Sequence, residues 1–312
     1  MPRQANGGDW LILLALTAMW GTAFLFNEFA LVAFSPAQLV GSRMLIAAAV
    51  LFAYLKASGA RLPAFGRGWL PMIVMALLGS VLPFQLTAWA QLHIDSALTG
   101  VLMAVMPLFV LTLAHFFVPG ASLSPGRITG FLIGFAGVAI VIGPGALSLN
   151  GPMTLPAIGA VLLAALSYSI NTIYARRLGA RDPVALSAGM MLVGAMLTTP
   201  HAAIGIVTLP AVPPLAAALS VLVLGLLSTG LATVLYFRLV QGPGPTFVSF
   251  VNYLVPVWAV LAGGLVLGES LSGFVFLGLG LILGGIAVSE FGTTLLRGLT
   301  LRTNKKVSAA HG

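Results

Sequence analysis

The chain has 312 residues, 59% of them hydrophobic and 6% charged, with a net charge of +8 and no cysteine. A soluble domain carries about 25% charged residues, so this chain cannot cover a water-facing surface and is expected to be a polytopic membrane protein. Its positive charge then belongs to a membrane face rather than to nucleic acid, and neither disulfides nor redox compartment can be argued from it.

A membrane-crossing helix needs about 20 apolar residues. The first apolar run begins at Trp10, after a short polar leader with no A-x-A-type cleavage site, and reads as a retained helix. In chain order, ten segments are expected near 10–32, 37–56, 69–91, 96–117, 127–146, 155–178, 183–205, 213–239, 244–266 and 272–291. The connections are short and rich in Gly, Pro and Ser ("FSPAQ", "GASLSPG", "QGPGP"), so no soluble domain fits between them.

Cations set the expected orientation. With the N-terminus in the cytoplasm, Arg3, Lys56, Arg61, Arg67, Arg127, Arg176, Arg177, Arg181, Arg238 and the tail cations Arg297, Arg302, Lys305 and Lys306 all fall inside. Asp95 and Glu269 fall outside, and Arg43 lies within a span. Both termini are thus expected in the cytoplasm.

The chain also repeats itself. "GASLSPGRITGFLIGFAGVAI" from Gly120 aligns without a gap with "GESLSGFVFLGLGLILGGIAV" from Gly268, pairing Gly130 with Gly278 and Gly137 with Gly285. Pro107 pairs with Pro256, and "SPAQLVGSRM" aligns with "DPVALSAGMM". An odd, five-helix unit makes the second copy enter from the opposite face, the inverted plan of secondary transporters with a midplane site between copies. The expected architecture is all-α: 1–149 as the first repeat, 150–296 as the inverted second, and 297–312 as a basic cytoplasmic tail.

Pro107 and Pro256 each remove a backbone donor mid-helix and are expected to kink their helices, shaping a cavity. Amides in lipid need partners, so Gln85, Asn171 and Asn252 should face the bundle or a wet cavity. Trp20, Trp89, Tyr168 and Tyr253 offer apolar faces with one polar edge, suited to a mostly apolar metabolite. Trp20 and Ser167 are repeat-equivalent, and Tyr168 follows directly. Trp10, Tyr54 and Trp69 are read as interface residues. Gly130/Gly134, Gly264/Gly268 and Gly280/Gly284 give close-packing pairs, with helices 5 and 10 packed tightly.

Glu28 sits about one turn from the outer end of helix 1, and Arg43 nearly two turns below the outer start of helix 2, at about 1.5 Å rise per residue. Similar depth on adjacent antiparallel helices lets them pair, and the second copy has Ala175 and Met190 in their places. The pair is a structural lock, or Glu28 is an outer gate or proton-titrating carboxylate, or it is an unpaired interfacial group.

"WGTAFLFNEFAL", "PAQLVGSRMLIAA", "SALTGVLMAVMPLFVLTLA" and "VNYLVPVWAVLAGGLVLGESLSG" together resemble the ten-helix, EamA-type branch of the drug/metabolite transporter superfamily over nearly the whole chain. The resemblance implies an exporter of small metabolites, with similarity to a branch that exports aromatic amino acids. Gly268-Glu269 keeps a Gly-Glu pair often found after both helix 4 and helix 9, whereas Gly120-Ala121 departs from it. That asymmetry reads Glu269 as a loop or helix-start residue.

No H-E-x-x-H motif and no paired carboxylates within the spans occur, and His93, His115 and His201 lie on different segments, so no catalytic or metal site and no cofactor is expected. The alternatives are an exporter of another class of amphipathic metabolite or drug, or a channel or a lipid-translocating protein. The expected partners are a small-molecule substrate and the bilayer of a bacterial inner membrane, with the chain a monomer and no nucleic acid bound. Proton antiport and facilitated diffusion both fit.

Overall fold

The computed structural model describes residues 4–118, 125–141, 152–178, 181–207, 212–248 and 250–289. Gly120, Ala121, the repeat boundary at 149/150 and the tail 297–312 lie outside the described residues. Among the described residues all regular structure is helical. Seven helices among the described residues are long and apolar enough to cross a membrane: α1 (Gly7–Leu31), α2 (Pro36–Ser58), α3 (Arg67–Ala90), α4 (Ser96–Phe117), α6 (Thr154–Arg177), α7 (Pro183–Val207) and α8 (Leu215–Gln241). Three shorter apolar helices, α5 (Pro125–Ile140), α9 (Val251–Leu267) and α10 (Gly273–Ser289), fill the remaining positions expected from sequence.

Helix ends follow local chemistry. Before α1, the Asn6 side chain accepts from Asp9 N at 3.0 Å and the Asp9 carboxylate accepts from Asn6 N at 2.9 Å. Ser35 and Gln38 make the same reciprocal cap on α2, with Pro36 at its first turn, where a missing N–H is harmless. Gly59 ends α2 at φ 73°, a conformation open to glycine.

The helices interlock across the bundle. A side chain on Gly41 of α2 would run into Ala202 and Thr198 of α7, and Met44 fills the space over Gly194. The α5–α10 contact is reciprocal. A Cβ on Gly137 would lie 2.6 Å from the Gly278 carbonyl oxygen, and one on Gly278 would lie 2.7 Å from the Gly137 carbonyl oxygen. Gly130 and Gly285 oppose each other in the same mutual way. Each glycine thus meets the repeat partner of the other, the pattern of a two-fold contact. The expected close-packing pairs at Gly264/Gly268 and Gly280/Gly284 play no such part. Gly280 and Gly284 face open space, and Gly268 ends α9 at φ 67°.

The two mid-helix prolines are used differently. Immediately before Pro107, α4 breaks at Ala104 and Val105, whose N–H groups turn back to Val101 and Leu102. The Met106 carbonyl, at the start of the next helical segment, also accepts from the Ser169 hydroxyl of α6 at 3.1 Å. Pro256 lies inside the uninterrupted helix Val251–Ala262. Wide π-type turns occur instead in α3 at Leu77–Val81, in α8 at Leu224–Leu231 and in α9 at Gly263–Leu267. Those in α3 and α8 fall at corresponding points of the two repeats.

Candidate substrate site

Several polar groups within the membrane-spanning helices, among them Trp20, Arg43, Ser167 and Thr229, reach across between α1, α2, α3, α6 and α8. A π-type turn shifts backbone carbonyls out of register, leaving them open to side chains from neighbouring helices. In α3 the Leu78 carbonyl accepts from the Ser167 hydroxyl of α6 at 2.8 Å. In α8 the Ser228 carbonyl accepts from the Trp20 indole N–H of α1 at 3.2 Å. Trp20 and Ser167 are repeat partners, so each half reaches the opposite half's π-turn from the same position. Each bridge is one hydrogen bond worth about 1 kcal/mol. Trp20→Phe and Ser167→Ala should each lower stability by about that amount while leaving the fold intact, as thermal unfolding in detergent would show. An unchanged melting temperature in both would mean that the bridges add nothing.

Buried polar atoms without partners lie along the same seam. They include Ser80 Oγ beside Gly79, Asn171 Oδ1 and Ser228 Oγ. The Asn171 amide packs directly on Gly79, where a side chain would displace it. Half-buried Gln85, one turn from Ser80, makes no hydrogen bond or ion pair among the described residues. Unpartnered buried polar atoms are costly and point to a site that takes water or a ligand.

The expected Glu28–Arg43 ion pair is corrected. Arg43 of α2 is 6% exposed, donates from Nε to Thr229 Oγ1 of α8 at 2.7 Å, and sets its guanidinium carbon 3.9 Å above the Phe84 ring of α3. Glu28 Oε2 instead accepts from Gln91 Nε2 at 3.4 Å. The same Nε2 donates to the Phe24 carbonyl at 2.8 Å, and Gln91 Oε1 accepts from Asn27 Nδ2 at 2.9 Å. Their contacts on α3, Gln91 and Phe84, lie seven residues apart, about 10 Å along the axis, so the two groups differ in depth as well as in facing. The α2–α7 contact at Gly41 and Met44 turns Arg43 toward α3 and α8, away from α1.

Glu28 joins a separate cluster at the end of the bundle that carries Asp95. Glu269, beyond the end of α9, accepts from Ser96 N at 3.0 Å, Ser96 Oγ at 2.6 Å and Ala97 N at 2.9 Å. It caps the first turn of α4 from the loop after α9, where the dipole favours a carboxylate. Burial, reinforced by the Glu269 carboxylate, raises the Asp95 carboxyl above its ordinary 3.8. The folded chain therefore holds this proton to a higher pH than the unfolded chain. The resulting stability is fully present below about pH 3.8 and is lost as pH rises through the raised folded value. Asp95→Asn should flatten the fall in melting temperature as pH rises above about 3.8. An identical pH profile in wild type and variant would refute this.

The remaining predicted site residues scatter. Trp89 stacks edge-on to His93 at 4.9 Å, toward the Asp95 end. Tyr253 packs against the core formed by α4, α5, α6 and α10, whereas Asn252 is exposed. Tyr168 lies within electrostatic reach of Arg43. Sequence reasoning missed Phe84, Thr229, Ser80, Ser228, Asn27 and Gln91. The run "LLSTGL", two small polar residues in an apolar stretch, was the available signal for Ser228 and Thr229. A groove of about 620 Å³ between α2 and α7, lined by residues such as Leu45, Ala48, Phe52, Ala195 and Met196, is apart from this seam. Thr199 is its one lining side chain that can hydrogen-bond, so it offers a metabolite's polar head almost nothing.

Residues 7–143 and 155–291 each match the EamA-like transporter family. The chain is 28% identical over 292 residues to the uncharacterized inner membrane transporter YedA of Escherichia coli K12, covering 91% of this chain and 90% of that protein. It is 26% identical over 280 residues to the uncharacterized transporter YoaV of Bacillus subtilis, covering 89% and 95%. A chloroplastic WAT1-related protein of Arabidopsis thaliana is 25% identical over 91% of this chain and 69% of its own length. A solved crystal structure superposes with a TM-score of 0.66 at 25% identity, over 94% of this chain and 99% of that one. With the family matched once in each half and an all-helical membrane architecture in place, the chain belongs to the EamA-like transporter family of the drug/metabolite transporter superfamily.

Proposed function

We propose that the protein exports small amphipathic metabolites, amino acids including aromatic ones, across a bacterial inner membrane by alternating access between inverted halves 1–149 and 150–296. The observation that carries this reading is the pair of repeat-equivalent bridges, Trp20 to the α8 π-turn and Ser167 to the α3 π-turn. A seam built twice from equivalent parts allows two related arrangements of the halves. Trp20, Tyr168 and Phe84 supply flat apolar surface along it, while Gln85 and Asn171 supply amides for a polar head. The carrier works as a monomer with both termini and the basic tail on the cytoplasmic face. The Glu28–Gln91 and Glu269–Ser96 contacts then lie at the periplasmic end, where they tie α1 to α3 and the loop after α9 to α4, and serve as the outer gate.

The test is flux of labelled tryptophan, phenylalanine, threonine and a sugar through purified protein in liposomes, with and without a pH gradient. Saturable amino-acid flux without sugar flux is expected, and its response to the gradient distinguishes antiport from facilitated diffusion. Folded protein that moves no amino acid would overturn the substrate assignment.

A further inference from the structure

Arg43 is a buried cation with most of its hydrogen-bonding capacity unused. A guanidinium carries five N–H donors in a rigid planar fork. Here only Nε–H is taken, by Thr229 Oγ1 at 2.7 Å, while Phe84 supports one face at 3.9 Å. Among the described residues, Nη1 and Nη2 make no hydrogen bond and no carboxylate forms an ion pair with Arg43. Charges placed inside a membrane bundle normally pair with an opposite charge or backbone carbonyls. An arginine at this depth with its fork unmatched is therefore incomplete by itself. Its two contacts fix the plane of the guanidinium and leave the paired Nη edge, the edge that receives a carboxylate bidentately. The group stands at the polar seam, near Tyr168, and its acceptor Thr229 follows Ser228, whose Oγ is unpartnered.

We propose that Arg43 is the carboxylate anchor of the substrate site: its Nη fork binds the carboxylate of a small amphipathic metabolite, with Thr229 and Phe84 holding the guanidinium in place. The assignment rests on the exporter reading and narrows it to substrates that carry a carboxylate. A neutral or purely cationic drug would leave the fork empty.

The test is calorimetric binding to the full-length chain in lipid nanodiscs, with tryptophan, indole-3-lactate, tryptophanamide, tryptamine and inorganic phosphate as probes. Wild type should bind the two carboxylates about tenfold or more tightly than the amide and the amine, as charge-assisted hydrogen bonds imply. Arg43→Gln should erase that preference, and Arg43→Lys, which keeps charge but not the fork, should retain part of it. If Arg43→Gln does not fold, Thr229→Val removes only the Nε acceptor and should still weaken the preference. A carboxylate preference unchanged in these variants would overturn the proposal. So would wild type that binds tryptamine as well as tryptophan, that binds phosphate alone, or that binds none of the probes. Binding of indole-3-lactate but not tryptophan would support the anchor and refute the amino-acid assignment. Equal binding of tryptophan and tryptamine alongside amino-acid flux would do the reverse.

Discussion

Replacing Gly137 with alanine is expected to destabilise the folded bundle by about 1–3 kcal/mol, the usual cost of forcing extra volume into a packed interface. The added methyl would sit 2.6 Å from the Gly278 carbonyl oxygen and 2.9 Å from Ile282 N, both backbone atoms that cannot swing aside. The helices must therefore separate along the whole seam. Gly278→Ala meets the Gly137 carbonyl at 2.7 Å and should cost a similar amount. Because one separation relieves both overlaps, the double variant should cost less than the two singles together. Gly280→Ala and Gly284→Ala, on the same helix but facing open space, are the controls and should stay within about 0.5 kcal/mol of wild type. Unfolding in detergent followed by circular dichroism measures all five. Equal effects at Gly278 and Gly280 would contradict the reciprocal contact.

Glu269→Ala carries the second large effect. It removes one carboxylate that accepts three hydrogen bonds, two of them from first-turn N–H groups of α4 that no intrahelical carbonyl can satisfy. Hydrogen bonds to a charged group contribute about 1.5–3 kcal/mol each. The loss is partly offset, since Glu269 also repels Glu28 and Asp95. Direct bonds within 3.0 Å outweigh repulsion between groups that face water in part, so a net loss of about 2–4 kcal/mol is expected. Glu269→Gln keeps an acceptor and the length, so it should lie between Ala and wild type. The signature is local: amide exchange should quicken at Ser96 and Ala97 before it does in α5 or α10. Uniform acceleration across the bundle would argue against the capping role.

The sequence carried the helix positions because apolar run length and turn chemistry act locally, and its glycine spacing, similar in both halves, is what suggested a five-plus-five repeat. It also placed α5 against α10, although the contact runs through Gly130, Gly137, Gly278 and Gly285 rather than through every four-residue glycine pair. What escaped it depends on how the helices sit against one another. Glu28 reaches Gln91, while Gly41 docking on α7 aims Arg43 at Thr229 and Phe84, about two turns away along α3. The π-type turns at Leu77–Val81 and Leu224–Leu231 have no side-chain signature, so the carbonyls they offer to Ser167 and Trp20 were invisible. Glu269 was correctly placed in a loop, but that its carboxylate would cap α4 depends on how α4 and α9 pack.

The central claim, an alternating-access carrier for amino acids, is tested most directly by counterflow. Proteoliposomes loaded with unlabelled tryptophan are diluted into a trace of labelled tryptophan. A carrier whose site faces one side at a time predicts a transient internal excess of label above equilibrium, dissipated as the unlabelled pool drains. A monotonic approach to equilibrium without an excess would mark a channel, and no entry of label would contradict the claim altogether.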